Sequence, residues 1–429
     1  MTIKRTITAL LVFAFVASPV AAQTTAGTAP SIQNGFATDR LARIDQLLQR
    51  AVDQNEIVGA VGLVMRDGRV VYQRAVGWAD KETGRRMTTD AIFRIASQTK
   101  ALTSTAILML MEEGKLSLDD RASRHIPQFA HTTVATKADT GRVVVPAKRE
   151  ITIHDLLTHT SGISYGTDPL VAPLYAAKSL GPAAGWGWYT ADKDEPICTT
   201  IERLATLPFV SQPGAAFVYG YSTDALGCIV ERASGIPLDE FIRTRITAPL
   251  GMDDTFFFAP TTKRTRLATV YMSDSAGHAR RAPDGPKGQG NYVDGPRRNF
   301  SGGAGLLSTA RDYARFLEML RNGGQLNGVR ILSPKTIDVM TSNQIGDLFS
   351  NWAPGRGFGL AFSTTDRTGA DGLSSVGSWG WGGAYGSVYK VDPKEHLTIV
   401  FMIQQLPLSN DIASKFQTLV YQALVQPNN

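Results

Sequence analysis

The chain has 429 residues, of which 43% are hydrophobic and 19% are charged. Its 44 Lys and Arg residues only slightly exceed its 38 Asp and Glu residues, and no basic run occurs, so the sequence gives no indication of nucleic-acid binding. This length and composition allow a large buried core, in one large domain or in a domain with a second one inserted into it.

The first 22 residues have the features of a secretory signal peptide. A charged start with Lys4 and Arg5 precedes a short apolar run and a predicted cleavage site after Ala22. Residues 23–37, rich in Thr and Ala, are predicted to form a disordered linker. No later stretch has the roughly 18 consecutive apolar residues of a membrane-spanning helix. We therefore expect a secreted or periplasmic protein with no membrane span after removal of the signal peptide.

Both ends of the chain predict β-hairpins. Two β-branched runs in the N-terminal part are joined by Asp67-Gly68, and two similar runs near the other end flank Asp392–Glu395. These runs predict one sheet made from residues of about 38–115 and 300–429, with residues of about 116–299 inserted as a helical, loop-rich part. The predicted fold class is α+β.

The segment "FRIASQTKAL" places Lys100 in an apolar run, three residues after Ser97. Residues three apart share a helix face, with Cβ atoms about 5–6 Å apart, so the two side chains can meet. A serine hydroxyl becomes a good nucleophile when a neighbour takes its proton, and burial would lower the pKa of Lys100 enough for its amine to act as that base. The alternative is a polar residue beside a snorkelling lysine, which is the commoner meaning of a short S-x-x-K match.

A second S-x-x-K match in the same chain serves as a comparison. Ser387 and Lys390 lie in a predicted strand, where residues three apart point to opposite faces. This copy is not expected to form a reactive pair, so Ser97 and Lys100 are the stronger candidates.

Two further segments carry groups suited to the same chemistry. In "PGAAFVYGYSTDALG", Tyr219 stands at a loop-to-helix junction, where its phenol could exchange protons with Lys100; the alternative is an ordinary buried tyrosine. In "WGWGGAYGS", Gly382 and Gly383 follow Trp381 and would let a ligand approach an oxyanion-binding backbone N–H; the alternative is a glycine-rich turn before an edge strand.

The remaining reactive residue types predict no competing site. Cys198 and Cys228 have no metal-ligand spacing, and the sequence leaves open whether they form a disulfide or stay reduced. The six histidines form no metal-binding pattern, and His154 and His159 are interpreted as structural. No metal and no cofactor are expected. The chain has no G-x-S-x-G elbow, which disfavours a Ser-His-Asp mechanism.

Five segments in this order resemble the serine β-lactamase-like superfamily: "FRIASQTKALTSTAILMLMEEGKLSLDD", "ITIHDLLTHTSG", "PGAAFVYGYSTDALG", "SGGAGLLSTARDYARFLEML" and "WGWGGAYGS". This superfamily includes class C β-lactamases, D-Ala-D-Ala peptidases and family VIII carboxylesterases. The resemblance runs from about Arg40 to the C-terminal helix and makes residues 38–429 one serine hydrolase domain. It implies an antiparallel sheet flanked by helices, packed against an all-helical domain, with the site in the groove between them.

The same resemblance assigns roles to individual residues. It implies Ser97 as the nucleophile, Lys100 as its general-base partner and Tyr219 as the second proton-transfer group. Whether Lys100 or Tyr219 removes the first proton stays open, because the two groups would titrate together. The backbone N–H groups of Ser97 and Ala384 would form the oxyanion hole.

Two departures from the β-lactamase pattern bear on the substrate. Tyr221 replaces an asparagine and Trp381 replaces a lysine that class C enzymes usually have; these two residues, with Gly382 and Gly383, are predicted to contact substrate. Losing the lysine removes a charge-assisted bond that selects anionic substrates, whereas tryptophan supplies apolar area. Both changes match the carboxylesterase branch. We therefore expect an acyl-enzyme on Ser97 formed from a small-molecule ester, of short chain by analogy with the family, with weak side activity on β-lactams.

Three alternatives remain. A class C-like β-lactamase or D-Ala-D-Ala peptidase fits the predicted export but not Trp381 and Tyr221. A non-catalytic binding module could keep the same fold, since a fold does not fix activity. An acyltransferase would pass the acyl group to an alcohol instead of water.

Overall fold

In a computed structural model, the described residues are 31–139, 141–180, 192–286 and 288–428. The predicted signal peptide and residues 23–30 of the predicted linker lie outside these ranges. Over the described ranges, no helix combines the length and the apolar character that crossing a membrane requires.

The helices, in chain order, are α1 (Thr38–Asp53), α2 (Thr99–Glu112), α3 (Ile153–Leu157), α4 (Ala172–Ala177), α5 (Ile197–Leu204), α6 (Ser222–Ser234), α7 (Leu238–Ile242), α8 (Ala310–Arg321), α9 (Pro334–Thr341) and α10 (Ile412–Ala423). The strands are β1 (Ile32–Gln33), β2 (Phe36–Ala37), β3 (Gly59–Arg66), β4 (Arg69–Asp80), β5 (Arg85–Arg86), β6 (Phe93–Arg94), β7 (Thr133–Ala138), β8 (Gly141–Pro146), β9 (Tyr271–Ser273), β10 (Ala279–Arg281), β11 (Leu307–Ser308), β12 (Gln325–Leu326), β13 (Val329–Arg330), β14 (Arg356–Phe358), β15 (Ser363–Thr365), β16 (Trp379–Gly382), β17 (Val388–Asp392) and β18 (Leu397–Ile403).

The largest sheet has eight strands in the order β14-β15-β16-β17-β18-β3-β4-β5, and each neighbouring pair is antiparallel. The β3–β4 hairpin turns at Asp67 and Gly68, whose φ angles of 52° and 73° suit the right-handed twist of the strands. β17 and β18 form the second predicted hairpin. The α+β class and the antiparallel sheet built from two distant parts of the chain are therefore confirmed.

Alternation along the strands directs side chains to two different cores. Ile399 and Phe401 of β18 pack with Ile44 of α1 and Phe416 of α10 on one face of the sheet. Val400, from the same strand, belongs to the larger core on the opposite face, which includes α2, α6 and α8. Helices thus cover both faces, and α2, which carries Lys100, lies within the larger core.

Two details of the predicted domain organisation are wrong. Residues 31–37 are not disordered, because β1 and β2 pair there and Phe36 is completely buried. The middle of the chain is not all-helical either: β7 pairs with β8 and β9 with β10, between stretches of helix. These strands are short or solvent-exposed, so their hydrophobic alternation is weak in the sequence.

Cys198 and Cys228 form a disulfide, which settles the alternative that the sequence left open. The bond joins α5 to α6. Since α6 begins directly after Tyr221, the disulfide holds the helix that follows the predicted tyrosine segment.

Candidate active site

Ser97 lies in a short 3₁₀ turn, Ala96–Gln98, which leads directly into α2. The preceding strand β6 pairs with β11, which fixes the backbone before the turn. Ala96 has a φ of 44°, an unusual value for a residue with a side chain. Such backbone strain persists only where the surrounding structure imposes it, and here it sets the direction of the adjacent serine.

Lys100 is 1% exposed and reaches three oxygens. Its Nζ lies 3.3 Å from Ser97 Oγ, 2.9 Å from the hydroxyl of Tyr165 and 2.8 Å from the carbonyl oxygen of Gly303. The predicted contact between a hydroxyl and an amine one turn apart is therefore present. Three acceptors around a buried amine are the environment of an ammonium ion, since its three N–H donors are matched.

The predicted direction of the Lys100 pKa is wrong. Burial by itself does lower that pKa, but the oxygens of Tyr165 and Tyr219 and the carboxylate of Asp224 attract the ammonium and outweigh it, so the pKa lies above its ordinary 10.5. Lys100 therefore carries a positive charge next to the nucleophile, and in that form it cannot accept the proton of Ser97.

Tyr219 lies against this pair, as the sequence predicts. Its ring centroid is 4.7 Å from Lys100 Nζ. The indole Nε1 of Trp381 donates a hydrogen bond of 2.9 Å to the Tyr219 hydroxyl. The ammonium of Lys100 thus lies over the face of the tyrosine ring, while the indole N–H bonds to its hydroxyl.

A groove of about 520 Å³ opens over these groups. Ser97, Tyr219, Trp381, Gly382 and Ala384 all line it. The N–H of Ala384 donates to no acceptor among the described residues, as an oxyanion-hole donor must.

Gly383 and Tyr221 do not line the groove, in contrast to their predicted contact with substrate. A Cβ on Gly383 would lie 2.5 Å from the carbonyl oxygen of Ile95, so this glycine instead lets the Ala384 segment approach the turn that carries Ser97. Tyr221 is 6% exposed, packs its ring 4.7 Å from that of Tyr165 and donates to the carbonyl of Leu180. Its ring therefore packs against Tyr165 instead of contacting substrate.

The sequence analysis missed Tyr165, Asp224 and Gly303, which complete the surroundings of Lys100. The carboxylate of Asp224 is buried and accepts hydrogen bonds from the hydroxyl of Ser301 and from the N–H of Gly303, at 3.2 Å for the latter. Burial raises the pKa of Asp224, although Lys100 opposes that shift. Asp224 stands five residues after Tyr219, in the segment "PGAAFVYGYSTDALG". An acidic residue at the start of an apolar helix was the sequence signal that could have identified it.

His159 is buried beside Tyr219, with ring centroids 4.6 Å apart. Its Nδ1 has no hydrogen-bond partner in the described part of the chain, and burial holds the pKa of the imidazole well below 6.5. The predicted structural role therefore takes the form of a neutral ring packed against the phenol.

Comparison with known proteins agrees with this geometry. The beta-lactamase family matches residues 44–422. Protein Rv1367c of Mycobacterium tuberculosis is 36% identical over 384 residues, which cover 86% of this chain and 91% of that protein. Esterase EstB of Burkholderia gladioli is 34% identical over 394 residues, covering 88% and 94% of the two chains.

A solved structure is similar over the same extent. EstCE1, described as a hydrolase with promiscuous acyltransferase activity, superposes with a TM-score of 0.75 at 28% identity. The superposition covers 90% of this chain and 99% of EstCE1. The likeness thus extends over most of both chains.

Proposed function

Because the chain belongs to the beta-lactamase family, we propose that it is a serine carboxylesterase with Ser97 as its nucleophile. The observation that carries this proposal is the contact of Ser97 Oγ with Lys100 Nζ at 3.3 Å, in a groove that Tyr219 and Trp381 also line. Similarity to EstB supports an ester as the substrate.

The first step is acylation of Ser97. Its Oγ attacks the ester carbonyl carbon while its proton passes to the oxygen of Tyr219, which we propose as the base. Lys100, as an ammonium ion, cannot itself take the proton. The oxyanion of the tetrahedral intermediate accepts hydrogen bonds from the backbone N–H groups of Ser97 and Ala384. Collapse of the intermediate expels the alcohol oxygen, which receives the proton from Tyr219.

The second step is hydrolysis of the acyl-enzyme. Water takes the place of the alcohol, gives one proton to Tyr219 and forms a bond to the acyl carbon. Breakage of the bond to Ser97 Oγ releases the carboxylic acid, and the proton on Tyr219 returns to the serine. No cofactor is needed for either step.

Trp381 favours neutral ester groups beside the nucleophile. It lines the groove where class C enzymes have a lysine, and it packs with Phe358, at 5.3 Å between ring centroids, in an aromatic cluster. Short-chain esters are proposed as the preferred substrates, with weaker action on β-lactams because the acylation groups would be the same.

A substrate comparison tests this function. We expect kcat/KM for p-nitrophenyl butyrate to exceed that for a chromogenic cephalosporin by at least about a hundredfold, since the half-buried Trp381 gives no charged partner to the cephalosporin carboxylate. A preference for the cephalosporin would instead support the β-lactamase alternative. Inertness toward both substrates and toward a fluorophosphonate would support a binding module.

Acyl transfer to an alcohol is the second candidate activity, favoured by the similarity to EstCE1. It requires only that an alcohol replace water in the second step. Product analysis with added methanol separates the two outcomes, because a transferase yields the methyl ester and a strict hydrolase yields only the acid.

Export is proposed as well. The supporting observations are the signal-peptide pattern of the first 22 residues and the Cys198–Cys228 disulfide, a bond typical of oxidising compartments. Comparing the chain in periplasmic and cytoplasmic fractions, with its mature N-terminus sequenced, tests this point; a start at Gln23 is expected.

A further inference from the structure

The groove over Ser97 continues past the aromatic groups to a charged end that the reaction leaves unused. Arg356, Asp371 and Lys390 line this end, together with residues of α10. From their arrangement we infer that the groove contains a second subsite, which binds a carboxylate on the ester substrate at a distance from the scissile bond. This inference rests on the proposed esterase function.

Strand geometry explains how one groove reaches both regions. Residues alternate along β16 and β17, so Trp381 points to the α2 face and Lys390 to the α10 face. β15 pairs with β16 only at Trp379 and Gly380, so Trp381 and Gly382 form an open edge. Gly382, which lines the groove, has no side chain at this edge.

Gly380 makes room for the lysine. A Cβ at this position would lie 3.3 Å from Lys390 Cε, tighter than ordinary packing. The aliphatic part of Lys390 therefore lies over the glycine, and its ammonium extends to the groove end. The side chain as a whole is only 4% exposed.

Two cations and one carboxylate line this end of the groove. Lys390 Nζ bonds to the carboxylate of Asp371, and Arg356 lies 3.6 Å from the other oxygen of the same group. Two cations thus share one carboxylate. Asp392 is the next acidic group on β17, but it is fully buried and its oxygens accept from the backbone N–H groups of Ser375 and Glu395 and from the Tyr421 hydroxyl.

Donors also exceed acceptors. Arg356 gives one N–H to the hydroxyl of Ser363, whereas its Nε is buried with no partner in the described part of the chain. Burial and the charge of Arg356 lower the pKa of Lys390 to about 7, although the carboxylate of Asp392 attracts the ammonium. A partly exposed guanidinium beside a destabilised ammonium is an environment that a second carboxylate would stabilise. A monoanion fits these two groove-lining cations and one carboxylate better than a dianion such as phosphate, which would add more negative charge beside Asp371.

Two matched ester series test the subsite. The acyl series compares mono-p-nitrophenyl esters of succinate, glutarate, adipate and suberate with p-nitrophenyl alkanoates of equal length. The alcohol series compares ω-acetoxyalkanoates with alkyl acetates. The readout is the ratio of kcat/KM for the acid to kcat/KM for its neutral counterpart. In one series, wild type should favour the acid by about tenfold or more at one chain length, since a charge-assisted bond forms only there.

Variants then locate the effect. Lys390→Met should bring that ratio close to one, whereas Asp371→Asn should raise it by releasing both cations to the substrate. Lys335→Met, an exposed lysine on α9, is the control and should leave the ratio unchanged. If Lys390→Met does not fold, Asp371→Asn decides the question.

A ratio of one or less at every length in both series would overturn the inference, as would a preference that Lys390→Met and Asp371→Asn leave unaltered. If the proposed esterase function itself were wrong, neutral esters would not be hydrolysed at all. That result is distinct from a failure of the subsite inference, in which neutral esters are still hydrolysed.

Discussion

The indole N–H of Trp381 donates a hydrogen bond to the hydroxyl of Tyr219, at 2.9 Å. This bond connects the residue that distinguishes the chain from class C β-lactamases to the group that we propose as the proton acceptor. We therefore propose that the residue at the position of the missing lysine serves both substrate preference and catalysis.

Trp381→Phe should lower kcat for p-nitrophenyl butyrate about tenfold to a hundredfold, because a hydrogen bond to a charged oxygen contributes about 1.5–3 kcal/mol. The aromatic packing would be kept. Trp352→Phe is the matched control: Trp352 is 60% exposed, its ring lies 6.4 Å from Tyr219, and no bond between the two is present among the described contacts. Equal losses in the two variants would show that the indole bond has no catalytic role.

Lys100 should remain an ammonium ion throughout the neutral range. Attraction to neighbouring oxygens raises its pKa above 10.5, so this attraction stabilises the folded protein fully below pH 10.5 and is lost only as the pH rises through the higher, folded-state pKa. The ¹⁵Nζ signal that disappears in Lys100→Met should therefore not shift between pH 6 and pH 9. Titration of that signal near neutral pH would restore the lysine as the first base.

Gly383→Ala should abolish most activity, because its Cβ would meet the Ile95 carbonyl oxygen at 2.5 Å and push the Ala384 N–H away from Ser97. Loss of one oxyanion donor predicts a fall in kcat of about a hundredfold or more. At the neighbouring position, a Cβ on Gly382 would come no closer than 3.2 Å to any atom, so Gly382→Ala should affect kcat much less. Similar kcat values for the two variants would argue against an oxyanion donor at Ala384.

Reduction of the Cys198–Cys228 disulfide should lower the free energy of unfolding by about 3–4 kcal/mol, the loop-closure entropy for a separation of about 30 residues. Urea unfolding with and without reductant measures this difference. The double variant Cys198→Ser/Cys228→Ser should unfold at the reduced midpoint in both conditions. A wild-type midpoint that does not respond to complete reduction would mean that the bond adds nothing to stability.

Local patterns predicted the parts of the fold that depend on near neighbours in sequence. The hairpin at Asp67-Gly68 follows from turn chemistry, and the contact between Ser97 and Lys100 follows from helical spacing. The prediction of disorder for residues 31–37 was wrong because Phe36 is buried in a core formed with α1 and α10. Composition alone cannot reveal that core.

The surroundings of Lys100 depend on distant parts of the chain. Tyr165 and Gly303 are separated from it by 65 and 203 residues, and neither belongs to a recognisable spacing pattern with a lysine. Tyr165, together with Tyr219 and Asp224, outweighs the effect of burial on the amine, which is why the predicted direction of its pKa was wrong. The charged end of the groove was not predicted either, because β14, which carries Arg356, is only three residues long and too short to show a strand pattern.

The central claim is that Ser97, and not the second S-x-x-K serine, forms the acyl-enzyme. The most direct measurement is peptide mass spectrometry after treatment with a fluorophosphonate, on wild type, Ser97→Ala and Ser387→Ala. Ser387 is fully buried and bonded to Ile403, so it should not react. We predict one adduct, on Ser97, in wild type and in Ser387→Ala, and none in Ser97→Ala. An unlabelled wild type, or an adduct that persists in Ser97→Ala, would contradict the account.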